Sequence, residues 1–150
     1  MAMMTQFSVF LINKPGVLAQ VIDAVAQAKI NVVALTIVDA QEHGVLRVVG
    51  DEPERLRGVL GKLNLPTHEN AVLAVELSNR PGALATVLGG LAQQHVNIEY
   101  AYVTAGAPGG KTTGILKVDQ IDKAQKALAA HAKHGQGKTD YRNRVDPGRR

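Results

Sequence analysis

Residues 11–31 read LINKPGVLAQVIDAVAQAKIN, and residues 77–97 read LSNRPGALATVLGGLAQQHVN. The two stretches align without a gap at an offset of 66 residues. Asn13/Asn79, Pro15/Pro81, Gly16/Gly82, Leu18/Leu84, Ala19/Ala85, Val21/Val87, Ala26/Ala92, Gln27/Gln93 and Asn31/Asn97 coincide. A repeat longer than a solenoid unit and present in two copies signals two related small folds in one chain. Some of the matches are core leucines and valines. The asparagines and the Pro-Gly pair are residues that a packed core does not need.

Outward from the repeat, 150 residues divide into repeat 1 at 1–69, repeat 2 at 70–134 and a basic tail at 135–150. Repeat 2 would run on to 145 if Thr139–Val145 forms a final edge strand, with Arg142 and Arg144 pointing outward. Units this small bury little surface alone, so the two should pack against each other. A hydrophobic content of 45% with ordinary charge describes a globular chain. No apolar run approaches the roughly 18 residues of a membrane span. The start, MAMMTQFSVF, lacks the basic and long apolar segments of a signal peptide. Cysteine is absent, which excludes disulfides, thiol catalysis and Cys-based zinc sites. These features lead us to expect a cytoplasmic protein. The pI of about 9.5 does not indicate a nucleic-acid partner. Residues 1–132 hold 11 Lys+Arg against 11 Asp+Glu, and the whole excess of +4 lies in residues 133–150.

The local pattern is the same in both copies. Phe7–Ile12 is a β-rich run broken by Asn13-Lys14-Pro15-Gly16, with Pro15 suited to the first helical position. Leu18, Val21, Ile22 and Val25 then share a helical face. Ile30–Val38 and Val45–Val49 predict strands joined by a hairpin turn at 41–44. Asp51 predicts a cap for a second helix with Leu56, Val59, Leu60 and Leu63 as its stripe, and a short strand around Pro66–His68 follows. In the second copy, Leu73, Val75 and Leu77 face inward, and Ala74, Glu76 and Ser78 outward. Leu84, Val87, Leu88 and Leu91 form a helix stripe, and Val96–Thr104 and Thr113–Val118 flank a Gly-rich loop before a helix at Asp122–His134. Two βαββαβ units, α+β and ferredoxin-like, packed side by side, are the expected fold. In the first copy Phe10 and Ile12 alternate with Val9 and Leu11, so both sheet faces are apolar there. A unit's own helices cover one face only, which predicts a homo-oligomer, a dimer in the simplest case.

The chemistry concentrates at the strand-to-helix turn Asn-x-Pro-Gly. A helix N-terminus offers unpaired N–H groups and a partial positive charge. A glycine there removes the Cβ that would block a ligand, and an asparagine supplies both an acceptor and a donor. The set suits a zwitterion, its carboxylate on the N–H groups and its ammonium oriented by Asn. The plain alternative is a capping turn. Retention of the asparagine in both copies, while Lys14/Arg80 and Val17/Ala83 vary, favours a ligand.

Asn-x-Pro-Gly-x-Leu, followed about a dozen residues later by Ile/Val-Asn-Val/Ile in a βαββαβ unit, resembles the ACT domain, a regulatory module that binds small ligands, usually amino acids. Residues 6–130 resemble a tandem pair of such domains, similar to the small stand-alone two-domain proteins of bacteria. His43-Gly44-Val45-Leu46-Arg47, Val72-Leu73-Ala74-Val75-Glu76 and Pro108-Gly109-Gly110-Lys111 add to the likeness. The resemblance implies sheets joined edge to edge and an amino acid held between units. One site would combine Asn13, Pro15, Gly16, Val17 and Leu18 with Asn97. The other would combine Asn79, Pro81, Gly82, Ala83 and Leu84 with Asn31. Serine-binding relatives carry a histidine two residues before the first asparagine, where this chain has Leu11 and Leu77. Ser78 stands where the first copy has Ile12, so the two sites need not be equal.

Other readings are weaker. Residues 105–112, AGAPGGKT, approach a phosphate-binding loop, but Ala105 replaces its first glycine and a strand, not a helix, is expected to follow. His131 and His134 lack a third metal ligand. Tyr100 and Tyr102 share a sheet face without the basic strand motif of RNA binders. Nothing implies a cofactor, a metal, a nucleic acid or a membrane partner. The sequence therefore predicts a non-catalytic amino-acid-binding regulator or sensor. A small ferredoxin-like enzyme and an oligomerisation scaffold without ligand are the alternatives, and duplicated site residues argue against catalysis.

Overall fold

The computed structural model describes residues 1–38, 42–104, 106 and 109–134, the side chains of 131–134 excepted. Ten elements follow one another: β1 (Ala2–Ile12), α1 (Val17–Gln27), β2 (Val32–Val38), β3 (His43–Gly50), α2 (Pro53–Lys62), β4 (Thr67–Ser78), α3 (Ala83–Gln93), β5 (Ile98–Val103), β6 (Lys111–Val118) and α4 (Ile121–His134). The fold is α+β, two ferredoxin-like units side by side in a single antiparallel sheet of order β2-β3-β1-β4-β6-β5.

The join is made by the two longest strands. β1 pairs with β4 from Ala2↔Ala74 to Val9↔Thr67. At its centre Thr5 pairs with Ala71, the same position in the two copies at an offset of 66, so the local twofold relation of the repeats runs through that pair. Unit 1 takes its fourth strand from the start of β4, and unit 2 takes its fourth strand from the start of β1. The short strand expected near Pro66–His68 and the strand expected at Leu73–Leu77 are accordingly one strand, Thr67–Ser78. Residues 139–145 lie outside the described residues; the place beside β4 is filled by β1.

All four helices serve one face. Phe7, Val9, Leu11, Leu46 and Val48 pack against Val21 and Val25 of α1 and Leu56 and Leu60 of α2. Leu73, Val75, Leu77, Leu116 and Val118 pack against Leu91 of α3 and Ala124, Ala127 and Leu128 of α4. Of the predicted stripes Val21, Val25, Leu56, Leu60 and Leu91 are buried, Leu18, Val59, Leu63, Leu84, Val87 and Leu88 are partly buried against the cores, and Ile22 stands outside them. The opposite face also has a core, built from Ala34, Val49, Val72, Ala74 and Ile115. Ala74, expected to face solvent, is buried there because β5 brings Tyr102 over it. Beyond that patch the helix-free face is open: Phe10 is 45% exposed, Ile12 52% and Val38 44%.

Candidate ligand-binding turns

Gly16 and Gly82 occupy the N-caps of α1 and α3 with the same backbone, φ +87° and ψ near −15°. This left-handed conformation is open to glycine and strained for other residues. Pro15 and Pro81 therefore precede the caps; the expectation that Pro15 starts the helix is corrected, because the chain first turns through Gly16. Neither helix has a side-chain cap or an acidic residue in its first turn. The N–H of Val17 reaches Lys14 O at 3.4 Å and that of Ala83 reaches Arg80 O at 3.3 Å. The N–H groups of the next two residues, Leu18 and Ala19 or Leu84 and Ala85, find no backbone acceptor among the described residues. A Cβ built on Gly16 or Gly82 would meet nothing within 4 Å, so approach to those donors is open. From Gly16 a shallow groove of about 420 Å³ runs along α1 past Gln20, Asp23 and Gln27 to Leu63.

The strand-opening asparagines are fixed by two aspartates, of which the sequence suggests one, Asp51, for another task. Asp51 was expected to cap α2. Its Oδ1 instead accepts the Asn31 backbone N–H (3.1 Å), and Glu52 occupies the cap position without a capping hydrogen bond. Asp119 accepts the Asn97 N–H in the same way (3.0 Å). The aspartates hold the backbone and leave the Asn31 and Asn97 side chains at the surface. A recurring Asp directly after the third strand of each copy was the available signal.

The two turns differ in what surrounds them. Asn13 donates its backbone N–H to Glu42 O (3.2 Å), and its exposed side chain makes no hydrogen bond to a described residue. Asn79 donates its backbone N–H to Gly110 O (2.8 Å) and its side-chain amide to Gly106 O (2.7 Å). The cause is loop length. Ser8 pairs with Arg47, whereas its counterpart Ala74 pairs with Ile115, so the offset of 66 has grown to 68 by the last strand. Two residues are added in the hairpin after β5, and that Gly-rich loop folds onto Asn79. Of the hairpin turn expected at 41–44, His43 and Gly44 belong to β3, and residue 41 lies outside the described residues.

Within one chain no hydrogen bond joins Asn13 to Asn97 or Asn79 to Asn31. Asn13 follows the free end of β1, whereas Asn97 precedes β5, with β4 and β6 between them. Asn79 and Asn31 are separated likewise by β1 and β3. The outer strands of the sheet are β2 and β5, the strands that the asparagines open.

A sheet joined through its first and fourth strands, with helices on one face and a glycine-capped turn in each half, defines a tandem α+β module built for two surface turns. A model of the ACT domain pair matches residues 1–134, and the chain belongs to that family. Protein BT0572 from Bacteroides thetaiotaomicron superposes with a TM-score of 0.80 and 31% identity, covering 87% of this chain and 89% of that one. The ligand-free regulatory subunit of aspartate kinase from Thermus thermophilus shares the fold at a TM-score of 0.62 and 17% identity, over 89% of this chain and 97% of that one. Aspartate kinase from Synechocystis does so at 0.59 and 20% identity, over 91% of this chain and 26% of the kinase. No curated protein is similar enough to count as a match. None of the described helices is long and apolar enough to cross a membrane.

Proposed function

We propose that the protein is a regulatory module that binds a free amino acid at its Asn-x-Pro-Gly turns. The observation that carries this is the pair of left-handed glycine caps, each leaving first-turn N–H groups without an acceptor and without a side chain in front of them. A carboxylate completes such a helix start better than water, and the adjacent asparagine orients the ammonium. The Asn13 turn is the readier site, because the Asn79 amide is engaged by its own loop. The similarity of fold to an aspartate kinase regulatory subunit supports a regulatory role.

The sheet also offers an edge to a second copy. β2 is an open edge whose sequence, VVALTIV, contains no charge, and Leu35, Ile37 and Val38 are exposed on it. Natural sheet edges of this kind are ordinarily covered or charged. Antiparallel pairing of β2 with the β2 of a second chain makes a closed twofold dimer. It places the partner's Asn31 at the sheet end at which Asn13 and Gly16 lie, with β2 and β3 between, the same spacing that β4 and β6 leave to Asn97 of the same chain. The ligand would then bias assembly through its higher affinity for the dimer.

A thermal-shift screen against the twenty amino acids tests the reading. An amino acid present at about 100 times its Kd stabilises by about 2.7 kcal/mol. At least one should raise the melting temperature at millimolar concentration. A flat response to all twenty would remove the amino-acid reading.

A further inference from the structure

A second cluster lies on the helix-free face, away from both turns. Arg47 of β3 lays its guanidinium over the Tyr100 ring, 3.9 Å from the centroid. The Arg47 Nε is buried without a hydrogen-bond partner, and no carboxylate pairs with this cation among the described residues. Gln6, fully buried, donates from Nε2 to the Tyr100 hydroxyl (2.6 Å) and accepts from the Tyr102 hydroxyl (2.8 Å). The Tyr100 oxygen is an acceptor in this chain of bonds, so its own proton has no acceptor within the network. A buried N–H without a partner and a cation without a counter-charge are both costly. Here Arg47 Nε and the Tyr100 proton are both left without an acceptor among the described residues.

These residues also break the repeat. At the equivalent positions of the other repeat Gln6 corresponds to Val72, Arg47 to Ile115, Tyr100 to Ala34 and Tyr102 to Thr36. Four residues that owe nothing to the duplication thus converge from β1, β3 and β5, and the contact of Arg47 with Tyr100 reaches across three intervening strands. Beside Arg47 on the same face stand Phe10, paired with Val45, and Val38, also paired with Val45. Both Phe10 and Val38 are nearly half exposed.

We propose that Arg47 and Tyr100 bind the carboxylate of a small monocarboxylic acid whose short apolar chain lies over Phe10 and Val38. The guanidinium offers a planar pair of N–H donors to a carboxylate, and the phenol adds a third hydrogen bond. One such site exists per chain, it is shared by the two repeats, and it is independent of the turns.

The chain has three tyrosines and no tryptophan, so tyrosine emission and near-ultraviolet dichroism report on the cluster directly. The probes are acetate, butyrate and inorganic phosphate, added to the full chain in a low-anion buffer. Butyrate should give a saturable change and bind roughly tenfold more tightly than acetate through its two further methylenes. Phosphate should be weaker than either. Arg47→Met should abolish the change, Tyr100→Phe should weaken it several-fold, and Gly16→Val should leave it intact while removing any amino-acid response. No saturable change in the wild type would overturn the proposal, as would undiminished binding by Arg47→Met or preference for phosphate. If Arg47→Met does not fold, Tyr100→Phe decides: binding at wild-type strength overturns the site.

Discussion

At Gly16 and Gly82 a single backbone angle sets both the local stability and the access to the turn. An added Cβ would meet no neighbouring atom at either position, so a substitution costs what φ +87° costs a residue with a side chain. Gly16→Ala is expected to lose about 1–2 kcal/mol, measured by urea unfolding, and a β-branched valine somewhat more. A neutral Gly16→Ala would mean that α1 does not start from a left-handed cap. Tyr102 carries a second residue-scale prediction. Burial raises its phenol above the usual 10, and the neighbouring Tyr100 raises it further, with Arg47 opposing. A raised folded value favours the protonated phenol in the native state. The contribution is therefore complete below about pH 10 and is lost as pH climbs through the folded value. Melting temperatures should fall from about pH 9 upward, and Tyr102→Phe should flatten that slope. The residues of the turn were legible in the sequence because they recur. Gln6 was not, since a lone glutamine near the start shows nothing of partners 94 and 96 residues away.

Among the elements, the helices were legible almost to the residue, because a stripe such as Leu56 and Leu60 encodes its own face. The strands were legible in kind but not in length. Phe7–Ile12 proved to be half of β1, because MAMMTQ has little periodicity of its own and is drawn into the sheet by pairing with β4. Deleting Met1–Met4 therefore strikes the far repeat. Val72, Leu73 and Ala74 lose the ladder partners that Met4, Met3 and Ala2 supply. At about 0.5–1.5 kcal/mol for each hydrogen bond, the loss should be on the order of 2 kcal/mol. Amide exchange should accelerate at residues 72–74 and stay slow at Leu46 and Val48; uniform acceleration would contradict this division. The hairpin loops make a further distinction between the repeats. Asn13→Ala should abolish the strongest amino-acid binding, whereas Asn79→Ala, which cuts the tie to Gly106, should leave it in place. Isothermal titration of each variant separates the two turns, and equal losses would show that they act alike.

For the molecule as a whole, the duplication uses up two sheet edges and exposes two others. Each unit's first and fourth strands are spent on joining the repeats, which leaves β2 and β5 outermost. The likeness in sequence implies clefts between the two repeats of one chain, and a one-chain sequence does not show which edges their join consumes; it consumes those of β1 and β4. The edges themselves are unequal: β5 carries Glu99, whereas β2 carries no charge and exposes Leu35, Ile37 and Val38. A charge on an edge strand opposes pairing with another chain. Ile37→Lys should consequently convert a dimer into a monomer in sedimentation velocity, with little effect on the melting of the isolated chain because Ile37 is exposed there. The same variant should weaken the response to the amino acid found by the screen, although the Asn13 turn is untouched, because a ligand that favours the dimer is coupled to its formation. A wild-type chain that sediments as a monomer with and without ligand would rule out the edge pairing. A monomeric Ile37→Lys that binds at full strength would confine the site to one chain.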